Sequence, residues 1–331
     1  PHGWLTLKGV RENNLKNLDL KIPLGVFVGI CGVSGSGKSS LFIDVLSRIL
    51  VPKKHTTSVA YEPKDPGEYD SIDGAPSRAL IIDQSKHQVS SPFAYFNLRK
   101  PLYSLYAESD DAKALGLNEK HLFQYCSACK GRGRIRMDMG FLPDVFTSCD
   151  TCQGTGLTAE AWMVRLSGYT LPELFDLTLN EIYDLFKYDD RISRPLQAAK
   201  DVGLGYLVLC QPRIHLSGGE CQRLKIAKEL SRKKPKSEST MYILDEPTVG
   251  QHLQDVSRLL KVLQRLVDEG NSVIVIEHHP HVLAACDWLI ELGPVGGPEG
   301  GYIVAADTPI KVAGGDTPTA QYLKAIIEGQ S

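Results

Sequence analysis

Gly32-Val33-Ser34-Gly35-Ser36-Gly37-Lys38-Ser39 satisfies G-x-x-x-x-G-K-[ST], and its flanks leave it few folds to sit in. Before it, Val26-Phe27-Val28-Gly29-Ile30-Cys31 is a short apolar run that reads as a buried strand. After it, Leu41, Phe42, Val45, Leu46 and Ile49 recur at helical spacing through the stretch from Ser39 to Leu50. A strand, a glycine-rich turn and a helix in that order form a phosphate-binding loop. Gly32, Ser34, Gly35 and Gly37 bring backbone N–H groups around phosphates at the positive end of the helix, and Ser40 adds a further nucleotide contact. Lys38 is placed for the β- and γ-phosphates, and the Ser39 hydroxyl for Mg²⁺.

The remaining pattern predicts an α/β core with a mostly parallel sheet. Leu5 to Leu7, Leu80 to Ile82, Met241 to Leu244 and Ser272 to Ile276 read as strands, and Ser217 to Arg232 and Gln254 to Glu269 as helices. Residues 51 to 79 are rich in Pro, Gly and Asp and read as loops. Between about 96 and 213 the character changes to cysteine pairs and amphipathic stretches, around Leu171 to Phe186 and Leu196 to Leu209. The expected division is a first part of the ATP-binding core at 1–95, an inserted, largely helical domain at 96–213, and the rest of the core at 214–331.

Met241-Tyr242-Ile243-Leu244-Asp245-Glu246 is an apolar strand ending in two acids. Alone, such a pair reads as a solvated loop. With a phosphate loop in the same sheet, Asp245 is placed to hold Mg²⁺ and Glu246 to polarise the attacking water. Leu216-Ser217-Gly218-Gly219-Glu220 is both a capping box and a glycine-rich helix N-terminus that offers N–H groups to a γ-phosphate. These three motifs together resemble those of the ABC ATPases. The resemblance implies that Gln84 lies near Mg²⁺ and that His278 is the switch histidine. It also implies that Ser217, Gly218 and Gly219 act on nucleotide held by a second cassette.

Eight cysteines include two Cys-x-x-Cys pairs, Cys126/Cys129 and Cys149/Cys152, with nineteen residues between them. That spacing is that of a four-thiolate zinc site on a hairpin, here about residues 124–156, and each pair continues as Cys-x-x-Cys-x-Gly-x-Gly. Cys31, Cys210, Cys221 and Cys286 are isolated and read as small core residues. Lys130, Arg132, Arg134 and Arg136 make the first arm of the hairpin cationic, which suits either a solvated arm or a phosphate contact.

At 331 residues and 42% apolar composition the chain can bury a sizeable core, and its formal charge of −2 excludes a uniformly basic nucleic-acid coat. No apolar run approaches the roughly 18 residues that span a bilayer, and Pro1-His2-Gly3-Trp4 lacks a secretory pattern, so a cytoplasmic location is expected. The chain reads as a piece of a longer polypeptide.

Cassette and zinc hairpin together resemble the UvrA family, the damage-recognition ATPases of bacterial nucleotide excision repair, in their C-terminal half. The match rests on Asn14-Leu15-Lys16-Asn17-Leu18, the phosphate loop, Phe141-Leu142-Pro143-Asp144, Leu216 to Leu230, Tyr242 to Thr248, and Asp287 to Pro294. It implies dimerisation, binding of distorted duplex DNA and delivery of UvrB, the last mainly through the half absent from this chain. Two stretches depart from the family pattern: Ser85-Lys86-His87-Gln88-Val89-Ser90 after Gln84, and Val249-Gly250-Gln251-His252 near the D-loop. Three alternatives stand beside this reading. A transporter cassette would lack the zinc hairpin and would not need the 133 positions from Gln84 to Ser217. A Rad50- or SMC-like ATPase would carry heptads. A DnaJ-like polypeptide-binding module would share the cysteine-glycine repeats but not the cassette.

Overall fold

Alternation dictates the first two strands. In β1 (Gly3–Val10) and β2 (Leu18–Leu24), Leu5, Leu7, Leu18, Leu20 and Ile22 point inward while Lys8, Asp19 and Lys21 face solvent. By contrast β3 (Phe27–Gly32) is buried at every position, as a strand covered on both faces must be. The computed structural model describes residues 1–50, 65–86, 89–137, 139–140, 145–232 and 239–329. His87, Gln88, the tetrapeptide from Phe141 to Asp144, and Lys233, Lys234, Pro235 and Lys236 lie outside the described residues, as does much of the loop stretch after Leu50.

Beyond the phosphate loop the chain forms a wide π-type helical stretch, Ser40–Ser47, that continues as α1 (Arg48–Leu50). Leu41, Phe42, Val45 and Leu46 are fully buried in it, the face that the helical spacing predicts. β4 (Ser71–Asp73) pairs antiparallel with β1, and β5 (Arg78–Ile82) completes the first segment.

The chain then builds a second compact unit, Ser90–Lys200 with Leu204–His215, whereas Pro1–Val89, Asp201–Gly203 and Leu216–Ser331 form the first. Helices dominate the second unit: α2 (Pro92–Tyr95), α3 (Arg99–Ala107), α4 (Asp110–Ala114) and α5 (Glu119–Leu122) precede a ribbon of β6 (Arg134–Met137) and β7 (Val145–Ser148). A two-residue hairpin, β8 (Arg165–Leu166) and β9 (Tyr169–Thr170), then leads into α6 (Leu171–Phe175), α7 (Leu179–Phe186) and α8 (Asp190–Asp201). The amphipathic stretch from Leu171 to Phe186 is two helices because Thr178 caps a new one, accepting from Glu181 N–H while Glu181 reaches back. Near the start of this unit Phe93 N–H donates to Leu209 C=O at 2.9 Å and ties α2 to the unit's last loop.

The first unit resumes with α9 (Gly218–Ser231), β10 (Thr240–Asp245), α10 (Leu253–Asp268), β11 (Ser272–Ile276), α11 (Pro280–Ala284), β12 (Trp288–Gly293), β13 (Tyr302–Asp307), α12 (Pro309–Ala313) and α13 (Ala320–Ile327). Among the described residues its main sheet runs β13-β12-β3-β11-β10-β5, parallel except for the β12/β13 pair. Val28, Ile30, Ile243, Ile274 and Ile290 of four neighbouring strands meet Leu41, Phe42, Val45 and Leu46 in one buried core. The antiparallel sheet β2-β1-β4 adds Leu5, Leu7, Leu20 and Ile22 to that core. Because β3, β10, β11 and β5 run the same way, the loops after Gly32, Asp245, Ile276 and Ile82 all leave from one sheet edge.

Candidate functional site

The phosphate loop is braced from within. Lys38 is only 7% exposed, and its ammonium donates to the Gly32 and Val33 carbonyls at 2.8 Å each. Burial lowers its pKa below the ordinary lysine value, against the pull of Glu246 and Asp245. A charge held by two carbonyls of its own loop can be handed to phosphate oxygens with little further desolvation. Gly32 sits at φ 129°, and a Cβ there would lie 2.0 Å from the Leu292 carbonyl of β12, so the turn has room for no other residue. Asn14 closes the outer side, donating to Gly35 C=O and Gly297 C=O at 3.0 and 3.1 Å.

At the end of β10, Asp245 and Glu246 share the sheet edge with the phosphate loop. Burial raises the Asp245 pKa, and the negative charges of Glu246, Asp83 and Glu277 add to the effect. Such an excess of carboxylates is what a divalent cation relieves, and Ser39, Asp245 and Gln84 offer the hard oxygen donors that Mg²⁺ takes. Glu246 adopts φ 44°, a left-handed conformation that a non-glycine residue holds only when its surroundings impose it. Here its N–H donates to Ile276 C=O at 2.9 Å, and its carbonyl accepts from Gln84 Nε2 at 3.3 Å. Its carboxylate stands 3.7 Å from His278 Nε2. The structure therefore brings Gln84, Glu246 and His278 together from three separate loops.

Ser217 caps α9 as its spacing predicts, accepting from Glu220 N–H at 3.2 Å while the Glu220 carboxylate accepts from Ser217 N–H at 2.6 Å. Ser217 is exposed, and a Cβ on Gly219 would meet nothing within 4 Å, whereas one on Gly218 would touch Gln84 at 3.1 Å. Sequence reasoning missed the polar face of this helix. Gln222, 1% exposed, donates to Ile82 C=O and Asp245 C=O, stitching the ends of β5 and β10. One turn on, Lys225 Nζ reaches Asp83 Oδ1 at 2.6 Å, Asp83 C=O, Ser85 C=O and Ser85 Oγ. Burial opposes ionisation of Asp83, but the hydrogen bond from the Lys225 ammonium wins and holds its carboxyl below the usual range. Further along, Glu229 meets Arg78 at 3.1 Å. The signal was the i, i+3, i+7 spacing of Gln222, Lys225 and Glu229. Read for apolar periodicity, those positions are silent.

Lys225 thus anchors both flanks of Gln84. Lys225→Met keeps the stem and removes the donors, leaving the Asp83 and Ser85 carbonyls without that partner and Asp83 Oδ1 with Ser85 alone, at about 1–3 kcal/mol. Urea unfolding is expected to show that loss as a lower midpoint at unchanged slope. An unshifted midpoint would mean that solvent replaces the ammonium without loss.

In the second unit the four predicted cysteines converge. Cys126, Cys129, Cys149 and Cys152 are all at most 5% exposed, and their sulfurs lie within 4.8 Å of one another. Cys126 to Cys149 is 3.9 Å and Cys129 to Cys152 is 3.7 Å. A disulfide needs about 2.05 Å, whereas a tetrahedron with 2.3 Å Zn–S bonds has edges of about 3.8 Å. The donor set and its spacing fit zinc. The two knuckles are copies of one design: Gly133 N–H donates to Cys129 Sγ at 3.3 Å and Gly156 N–H to Cys152 Sγ at 3.2 Å. They also clasp each other, since Cys126 N–H donates to Gly156 C=O and Cys149 N–H to Gly133 C=O. A Cβ on Gly133 would lie 2.1 Å from Gly154 C=O, and one on Gly156 2.5 Å from Gly131 C=O. The repeated glycines are there to let the knuckles approach.

From this base rises the β6/β7 ribbon, exposed at every position. Its register pairs Arg134 with Ser148 and Arg136 with Phe146 on one face, and Ile135 with Thr147 and Met137 with Val145 on the other. The Arg134 guanidinium lies 4.8 Å from the centre of the Phe146 ring.

A phosphate loop, an acid-tipped strand and a capped glycine-rich helix around one parallel sheet define an ATP-binding cassette. The family described as ABC transporter matches residues 15–249, and the chain belongs to that family, with the ATPase cassette that it implies. Its sequence is 43% identical to UvrABC system protein A of Thermus thermophilus over 98% of this chain and 34% of that protein. It is 41% identical to UvrABC system protein A of Haemophilus influenzae over 98% of this chain and 35% of that one. The fold superposes on UvrA2 of Deinococcus radiodurans with a TM-score of 0.85 at 38% identity, covering 98% of this chain and 41% of that one. The chain thus spans about a third of the length of the curated relatives it matches. Among the described residues, no helix is long and apolar enough to cross a membrane.

Proposed function

We propose that this chain is an ATP-hydrolysing, DNA-damage-binding cassette of nucleotide excision repair, working in the cytoplasm as part of a UvrA-like protein. The observation that carries the reading is the presence in one chain of the assembled cassette edge and a four-cysteine base bearing an exposed, cationic ribbon. A cassette alone would serve any ABC ATPase.

In this reading Gly32, Ser34, Gly35, Gly37 and Ser40 cradle the phosphates, and Lys38 exchanges the Gly32 and Val33 carbonyls for β- and γ-phosphate oxygens. Ser39, Asp245 and Gln84 would hold Mg²⁺, which when bound would supply positive charge against the phosphate oxygens. Glu246 polarises the attacking water, and His278, 3.7 Å away, orients that carboxylate and the leaving phosphate. Exposed Ser217 with the open N-terminus of α9 supports action of Ser217, Gly218 and Gly219 on nucleotide in a second cassette, in the same parent chain or another copy. UvrB-like helicase contact belongs mainly to other parts of such a parent protein. The division into 1–95, 96–213 and 214–331 would then be core, inserted signature domain and core. The departures at Ser85-Lys86 and Val249-Gly250-Gln251-His252 touch the two loops through which nucleotide and DNA would communicate.

For DNA, the ribbon's Arg134/Arg136/Phe146 face supplies cations and an aromatic ring, the chemistry of backbone contact. Neutralising Lys130, Arg132, Arg134 and Arg136 is expected to weaken duplex binding across sequences, each lost contact removing about 0.9 from the log–log salt slope. Zinc content and ATP binding stay unchanged. Fluorescence anisotropy at several salt concentrations measures this. Wild-type affinity in that variant, with loss on neutralising Arg232 to Lys236, would make the knuckle a structural staple and move the DNA surface elsewhere.

A further inference from the structure

The proposed chemistry leaves the buried carboxylate of Glu277 without a role. Glu277, last residue before His278, is 2% exposed and has no cationic partner among its hydrogen bonds. One carboxylate oxygen accepts from Thr248 N–H at 2.9 Å and from Thr248 Oγ1 at 2.5 Å. The other accepts from the N–H groups of His278 and His279, at 2.9 and 3.2 Å. Its own N–H donates to Ile30 C=O at 2.9 Å, on the strand that launches the phosphate loop. Thr248 is itself 6% exposed and begins the turn through Val249 and Gly250 that follows the catalytic acids.

Burying a carboxylate is costly unless donors surround it, and a helix cap or a turn residue would satisfy such donors at far lower cost. Glutamate does here what a neutral side chain cannot. It presents two acceptor oxygens to two loops at once, and all four of its hydrogen bonds come from donors on those loops, although the Asp245 carboxylate lies near enough to feel its charge. The link joins Thr248, two residues beyond Glu246, to the backbone of His278, whose ring lies 3.7 Å from the Glu246 carboxylate. The catalytic pair is therefore closed into a ring: Glu246 to Thr248 through the chain, Thr248 to Glu277 to His278 through hydrogen bonds, and His278 back to Glu246.

We propose that Glu277 is a positioning residue for ATP hydrolysis, locking the turn after Glu246 to the backbone of the switch histidine so that the two move together. This rests on the assignment of Glu246 and His278 above. A shift of the exposed Val249 turn, for instance by a second cassette, then reaches His278 through Thr248 and Glu277. The arrangement has the geometry for coupling because each end is held by two hydrogen bonds rather than one.

The test uses steady-state ATPase kinetics on the protein with its partner cassette. Glu277→Gln places an amide NH₂ against one of the two donor pairs, so one loop is released. The expected result is a loss in kcat of about 100-fold, the scale of a small misplacement of a reacting group, with KM for ATP unchanged. In a His278→Ala background the same substitution adds no further loss, because the effect runs through His278. Thr248→Val lowers kcat in the same way and Thr248→Ser restores it, which keeps the proposal testable if Glu277→Gln fails to fold. Wild-type kcat in Glu277→Gln, losses that multiply with His278→Ala, or equal behaviour of the valine and serine variants at Thr248 would overturn it. Absence of ATP turnover in the unaltered protein would instead overturn the assigned ATPase chemistry, so the two failures are distinct.

Discussion

Lys38→Ala is expected to remove ATP turnover by about 10²–10³-fold together with nucleotide affinity, whereas Glu246→Gln keeps ATP bound and stalls hydrolysis by about 10²–10⁴-fold. The split follows from position. Lys38 lies inside the phosphate loop with its ammonium on two loop carbonyls, so its loss strips the site of the cation that meets the phosphates. Glu246 lies beyond the end of β10 with its carboxylate beside His278, and its proposed role is with the attacking water and not with the phosphate cradle. Equilibrium binding of a fluorescent ATP analogue and phosphate release under single turnover separate the two effects. If both variants lost binding alike, Glu246 would be part of the cradle and the base would have to be sought elsewhere.

Zinc removal is the second large effect. One ion per chain is expected, and for structural Zn²⁺ in small domains the apparent binding free energy is about 10–16 kcal/mol, most of it folding free energy. The ribbon that rises from the four sulfurs is exposed at every position, so it has no apolar core of its own to replace the ion. Chelation, or Cys149→Ser, should therefore unfold the knuckles and ribbon, read as fast amide exchange across residues 124–156. ATP binding in the first unit should persist. Substantially less than one zinc in the undamaged protein, with all four cysteines freely alkylated, would refute the site.

Lys225→Met, the ribbon neutralisation and the Glu277 series probe weaker or more distant links. They ask whether parts the chemistry does not touch still govern it. Lys225 and Glu277 share one feature, a buried polar group that ties two loops together.

What the sequence determined by itself is what local order encodes. The strand, glycine turn and helix around Lys38 are contiguous, so eight residues and their flanks announce them. Ser217 and Glu220 cap their own helix, and the cysteine pairs with their glycines form knuckles within a few residues each. Strand positions followed from apolar runs, because β3, β10 and β11 are buried throughout or nearly so. What tertiary structure alone decided is which of these pieces meet. Gln84, Glu246 and His278 come from loops more than thirty residues apart, and only the parallel sheet's common edge brings them together. Gln222, Lys225 and Glu277 were illegible for a related reason. Each is a polar residue on a buried surface, where hydrophobic periodicity records nothing, and each derives its meaning from donors or acceptors distant in sequence. The closing of the two knuckles on each other belongs to the same class. Repetition in sequence predicts two similar turns, but the clash a Cβ would make across them exists only once they are packed.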